Sequence, residues 1–166
     1  MLGYFPHHPH HQPPKEPSES IYQLISKNKH TKIFAHFIDQ YDHAKEYLNS
    51  TEFNYTVYVP TDCAFKKFKD HPKLPKEYIA KWLAYHVSPG IYPARSFSSS
   101  LQTVPTFLHQ ENNGTEHQRV RVHRGLFNIK LNFLSKVIKP ASDIVSVYFS
   151  IRPILFDLLG VSVHKC

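Results

Sequence analysis

The sequence predicts an α+β fold, and three observations carry that prediction. Apolar residues recur at helical spacing in the first half of the chain, and they alternate with polar residues in the second half. Between the early helical stripes and a later one lies a compact β-prone run, Tyr55-Thr56-Val57-Tyr58-Val59. Helices gathered first and strands gathered later imply helices segregated to one side of a largely antiparallel sheet. Size and composition agree. At 166 residues, 41% hydrophobic and 20% charged, the chain has the makings of one soluble globular domain, which excludes collagen, a coiled coil and a wholly disordered chain.

Residues 1–17 hold Pro6, Pro9, Pro13, Pro14 and Pro17 among His7, His8, His10, His11 and Gln12, with almost nothing to bury, and read as a disordered tail. The opening Met1-Leu2-Gly3-Tyr4-Phe5 stops well short of the roughly 7–15 apolar residues of a secretory leader. No signal peptide is visible in this form. From Ser18 the pattern turns helical. Ser18 and Ser20 offer N-caps, and Ile21, Leu24 and Ile25 form a short stripe. Thr31 suits the cap of a second helix with Ile33, Phe34, Phe37 and Ile38 on one face, and a more polar third helix runs from Asp42 to Leu48.

The run from Tyr55 to Val59 is a strand stopped by Pro60, after which Thr61 is placed to cap a helix carrying Ala64, Phe65 and Phe68. Pro75 suits the first turn of the next helix. Its stripe, Tyr78, Ile79, Trp82, Leu83 and His86, ends before Ser88-Pro89-Gly90 and includes the only Trp, which marks it as central to the core. The period then becomes two. Val104 to Leu108, Arg119 to Val122, Ile129 to Phe133 and Lys136 to Ile138 read as strands, separated by turns such as Asn112-Asn113-Gly114.

Twenty Lys and Arg against thirteen Asp and Glu give +7 with neutral His, which favours acidic partners. The two cysteines, Cys63 and Cys166, are too few for a disulfide framework and have no zinc-type spacing. Cys63 follows Pro60 in a helix's first turn, where a reactive thiol is conceivable and a small buried one is the ordinary reading.

With these elements in place, a family resemblance emerges. Thr56-Val57-Tyr58-Val59-Pro60-Thr61-Asp62-Cys63-Ala64-Phe65 resembles the first signature box of fasciclin-type adhesion domains, T-V-F-A-P-T-N-x-A-F. Leu83-Ala84-Tyr85-His86-Val87 is similar to the family's helix ending in Tyr-His. Thr106-Phe107-Leu108, Leu131-Asn132, and Lys136-Val137-Ile138 with Asp143-Ile144 resemble its strand landmarks in order. The likeness spans residues 18–144, and its wording looks most like fungal members. It implies a helical layer packed on a β-sandwich or wedge.

The family's closing box, N-G-V-I-H-x-V-D-x-V-L, is absent, so residues 145–166 form an atypical C-terminal segment. Such an abrupt loss of pattern is what a retained intron or altered reading frame gives. The alternation of Val145, Val147, Phe149 and Ile151 with Ser146, Tyr148 and Ser150 still suits a strand. Arg152, Pro153 and Asp157 argue against a membrane span across the segment.

The resemblance implies a non-catalytic recognition module that binds a protein or glycan partner at the cell surface, outside the cell or in the vacuole, with adhesion surfaces near Tyr85-His86. The competing reading of His86 is structural, since a His in a helix's last turn can bond the free carbonyls there. Arg119, Arg121 and His123 share one strand face and suit phosphate, sulfate or anionic glycans, against the plainer reading of a solvated face. Asn49, Asn54 and Asn113 head N-glycosylation triplets. The histidines of the tail point to incidental metal binding rather than a dedicated site, because nothing there orients the imidazoles. No nucleophile elbow, phosphate loop, dinucleotide fingerprint or zinc-protease pair is present, so no catalytic residue, cofactor or metal is assigned, and nothing resembles a nucleic-acid-binding motif. The alternative is a cofactor-independent accessory enzyme of a fungal secondary-metabolite pathway that guides cyclisation or rearrangement within a pocket. A concave apolar pocket favours that alternative, and a filled core with flat loops favours adhesion.

Overall fold

The computed structural model describes residues 19–52, 54–65, 75–109, 116–126, 128–132, 135–140 and 146–150, the last two segments as backbone strands. The proposed tail over residues 1–17 and the turn at Asn112-Asn113-Gly114 lie outside the described residues.

Three short helices lead the chain: α1 (Ile21–Lys27), α2 (Lys32–Asp39) and α3 (Asp42–Asn49). Ser20 closes a capping box on α1. Its Oγ accepts from the Gln23 N–H at 3.1 Å while Gln23 Oε1 accepts from the Ser20 N–H at 2.9 Å. Thr31 occupies the cap position of α2 without making the cap bond. Its hydroxyl donates instead to the Ile25 carbonyl at 2.7 Å, tying α2 to the end of α1. The cap comes from a distant residue: Asp62 Oδ1 accepts from the Ile33 N–H at 2.8 Å. Thr61 likewise does not cap α4 (Asp62–Phe65), and its Oγ1 is buried without a partner among the described residues.

Strand β1 (Tyr55–Pro60) is buried at all six positions because both its faces are covered. Tyr55, Val57 and Val59 pack with the helices around Phe34, Ile38 and Trp82. Tyr58 faces the opposite way, into a second core with Phe97, Val104, Val120, Val122, Ile129 and Leu131. Helix α5 (Lys76–Tyr85) starts after Pro75 and buries Ile79, Trp82, Leu83 and Tyr85. Tyr78, expected on that stripe, instead faces solvent and is 56% exposed.

Ser88-Pro89, before which the helical stripe ends, lies in strand β2 (Val87–Pro89), antiparallel to β1, and Gly90 follows with φ +92°. The strand tolerates Pro89 because β2 lies at the sheet edge. A single 3₁₀ turn, Ala94–Ser96, leads to β3 (Gln102–His109), β4 (His117–Arg124), β5 (Ile129–Leu131), β6 (Ser135–Pro140) and β7 (Ser146–Ser150). The strand order is β2-β1-β7-β6-β5-β4-β3. Strand β6 pairs with β5 at its start and with β7 farther on, losing step between Val137 and Lys139. That irregularity lets one strand serve both halves of the sheet, which enclose the second core. The alternating segment after Ile144 does enter the sheet: β7 lies parallel to β1 and antiparallel to β6.

Candidate functional site

An apolar groove of about 590 Å³ opens between α3 and α5. Its buried floor is Phe34, Leu48, Leu83 and Val87, and its sides carry Tyr41, Tyr47 and Phe107. Small side chains create the space, because Ala44 on α3 and Ala80 and Ala84 on α5 line it where larger residues would fill it. Phe107 arrives through an irregularity in the sheet. Between the pairs Pro105–Arg119 and His109–His117, β3 sets three residues against one of β4. The polar groups of this bulge are satisfied locally. Thr106 Oγ1 donates to the Gln118 carbonyl at 2.8 Å, and His117 Nδ1 lies 2.6 Å from the Thr106 carbonyl. Phe107 then stands edge-on to Tyr47, with ring centroids 5.7 Å apart, and Tyr47 lies 4.7 Å from Tyr55.

Polar chemistry on the lining is sparse. His43 sits at an exposed position, and the Tyr41 hydroxyl donates to the Lys76 carbonyl, with burial pushing its pKa up. The arrangement can hold and orient an apolar body, with few groups to exchange protons with it. Among the described residues no three His, Cys, Asp or Glu side chains gather as a metal site, and His7, His8, His10 and His11 lie outside them.

The Tyr-His pair lies inside the protein. Tyr85 is 3% exposed, and its hydroxyl bonds the Arg119 carbonyl and Asn132 Nδ2. His86 is fully buried, its ring tilted against Trp82 with centroids 4.4 Å apart, and its Nδ1 is 2.8 Å from the Trp82 carbonyl. Since a carbonyl only accepts, the neutral ring donates its Nδ1–H there. Burial pushes its pKa down to about 4, the carbonyl bond opposing.

Arg119 and Arg121 are exposed on the outer face of β4, and Val120 and Val122 alternate into the core. Arg119 is oriented by Thr103, donating from Nε to Oγ1 at 2.8 Å and from Nη2 to the carbonyl at 2.9 Å. Asn49 and Asn54 are exposed, and Asn113 lies outside the described residues. Cys63 is half-buried and disulfide-bonded, which replaces both thiol readings. Sequence reasoning missed the groove, whose only trace was alanine at three positions on two helices.

Helices cover one side of a sheet that encloses a second core, and this groove lies on the helical side. Residues 29–145 match the Fasciclin domain family, and the chain belongs to it. It is similar to the protein named aurofusarin biosynthesis cluster protein S from Gibberella zeae, with 25% identity over 128 residues, or 77% of this chain and 31% of that protein. The chain therefore spans about a third of that relative's length. Its fold is similar to a solved pair of FAS1 domains from the insect cell adhesion molecule Fasciclin I, at a TM-score of 0.64 and 18% identity over 84% of this chain and 51% of that one. Among the described residues no helix is long and apolar enough to cross a membrane.

Proposed function

We propose that this domain holds an apolar, ring-bearing small molecule in the groove between α3 and α5, as an accessory of a fungal secondary-metabolite pathway. The observation that carries this reading is the groove itself. Its volume of about 590 Å³ falls in the range of small-molecule sites, and Tyr41, Tyr47 and Phe107 offer rings to a flat ligand. The name of the fungal relative, which assigns that protein to a biosynthesis cluster, supports the same reading. The domain's contribution is orientation. Any proton transfer falls to His43 or Tyr41, and no cofactor is invoked.

The test is titration of the whole chain with the neutral apolar dye Nile red. Saturable binding with blue-shifted emission is expected, and Ala84→Phe, which fills the groove from α5, weakens it at least tenfold without changing the thermal melt. Non-saturating dye uptake, or equal binding by Ala84→Phe, overturns the reading.

A second reading, adhesion through a protein or glycan partner outside the cell or at its surface, is favoured by the family and by the exposed arginines of β4. It requires fungal hyphae to adhere to surfaces coated with this chain. Adhesion no better than to coated albumin removes it.

A further inference from the structure

We infer that His109 and His117, facing each other across β3 and β4, form a surface site for a late first-row divalent cation, Cu²⁺ or Zn²⁺. The inference goes beyond the groove reading and uses no residue that lines the groove. The pair owes its existence to the irregularity in β3. An unbroken antiparallel ladder continued from Pro105–Arg119 would set Phe107 opposite His117. Residues 106–108, set against Gln118 alone, shift the register by two, so His109 comes opposite His117 instead. The two imidazoles meet with ring centroids 4.3 Å apart and planes inclined at 36°.

Three features make this pair a chelate rather than only an aromatic contact. The first is the tautomer of His117. Its Nδ1 lies 2.6 Å from the Thr106 carbonyl, which only accepts, so Nδ1 carries the proton and Nε2 keeps the lone pair that a metal requires. A backbone carbonyl behind the ring is also how metal-bound histidines are oriented, and here the bulge itself supplies it. The second is access. His109 is exposed, and among the described residues no hydrogen bond fixes its imidazole, so the ring can turn a nitrogen towards the ion. The third is separation. Two imidazoles bound to one ion through nitrogens at about 2.0–2.1 Å hold their ring centres roughly 5 Å apart. The observed 4.3 Å therefore needs only a small opening of the pair.

The donor set chooses the ion. Neutral imidazole nitrogens favour Cu²⁺ and Zn²⁺, Cu²⁺ the more tightly, over Mg²⁺ and Ca²⁺, which prefer oxygen. The histidines at positions 7, 8, 10 and 11 are a rival source of ligands, so the test removes them.

The test is calorimetric titration of the full chain carrying His7→Gln/His8→Gln/His10→Gln/His11→Gln with Zn²⁺ and with Cu²⁺. One saturable equivalent of each is expected, with none for Ca²⁺, and Zn²⁺ should raise the thermal midpoint because it bridges two strands of the folded state. Adding His109→Gln or His117→Gln should weaken binding at least tenfold and remove that rise. His123→Gln, farther along β4, should bind as its parent does. Electron spin echo spectra of the Cu²⁺ complex, taken on the chain with both histidines intact, should show two coordinated imidazoles, a reading that no loss of folding in a variant can imitate. The absence of a saturable site, binding unchanged in His109→Gln and His117→Gln, equal loss in His123→Gln, or fewer than two imidazoles on Cu²⁺ overturns the assignment.

Discussion

The Tyr85 hydroxyl donates to the carbonyl oxygen of Arg119 at 3.2 Å and accepts from Asn132 Nδ2 at 3.0 Å, so the last residue of α5 fastens β4 from inside. Asn132 completes the junction. It takes the left-handed conformation, with φ +47°, and its Oδ1 accepts from the Arg121 N–H at 2.9 Å. Tyr85→Phe keeps the ring and leaves two part-buried polar groups unpaired. It should cost about 1–3 kcal/mol, read as a shifted urea midpoint at constant slope. A midpoint within error of the parent would show that water replaces the hydroxyl and that the fastening is weak.

His86 should make the fold sensitive to acid. Its folded pKa of about 4 lies below the ordinary 6.5, so below about pH 6.5 the unfolded chain takes up a proton that the native state refuses. Stability from this residue is complete above 6.5 and is lost progressively as the pH falls towards 4, by at most about 3 kcal/mol at the usual 1.4 kcal/mol per unit. Urea melts between pH 7.5 and 4.5 should give a shallower pH slope for His86→Leu than for the parent, whatever the variant's absolute stability. Parallel slopes would mean that the ring is hydrated or already charged.

Strand β7 is the test of how the atypical C-terminal segment serves the fold. Tyr148 pairs with Tyr58 on one side and Pro140 on the other, so β7 joins the β1–β2 ribbon to the rest of the sheet. Proline at a central strand position removes a ladder bond and fits neither neighbour. Tyr148→Pro should therefore cost at least about 3 kcal/mol, the scale of proline inside a regular element. Retention of the parent's cooperative melt would place this segment outside the sheet.

Much of the fold was legible in the sequence because local periodicity reports which face is buried. The stripe from Ile79 to Leu83 and the alternation from Arg119 to Val122 each marked an element whose core side matches the pattern. What escaped was non-local. Asp62 caps a helix 29 residues away in place of the cap expected from Thr31. Pro89 signals a turn by itself, and only its place at a sheet edge makes it a strand residue. The groove is a missing volume, formed where alanines on α3 and α5 come to face each other. His86 was legible as a core residue from its place on the apolar stripe of α5, whereas the burial of Tyr85 became visible only once β4 covered it.

The glycosylation triplets at Asn49 and Asn54 should differ in when they can be modified. Thr51, the hydroxyl residue of the first, is exposed, and the bond that Asn49 Oδ1 accepts from Ser20 at 2.8 Å uses an oxygen that an N-linked sugar leaves in place. Thr56, the hydroxyl residue of the second, is fully buried in β1, donating to the Gly90 carbonyl at 2.9 Å and accepting from the Tyr92 N–H at 3.0 Å. A transferase that must reach that hydroxyl finds it only before the strand forms. Secretion behind an added leader should therefore give glycoforms that lose one sugar chain in Asn49→Gln and one in Asn54→Gln, read by mass after glycosidase treatment. The folded, unmodified chain treated with oligosaccharyltransferase should take a sugar at Asn49 and none at Asn54. Modification of folded Asn54 at a comparable rate would show that the start of β1 opens readily and that its burial is transient.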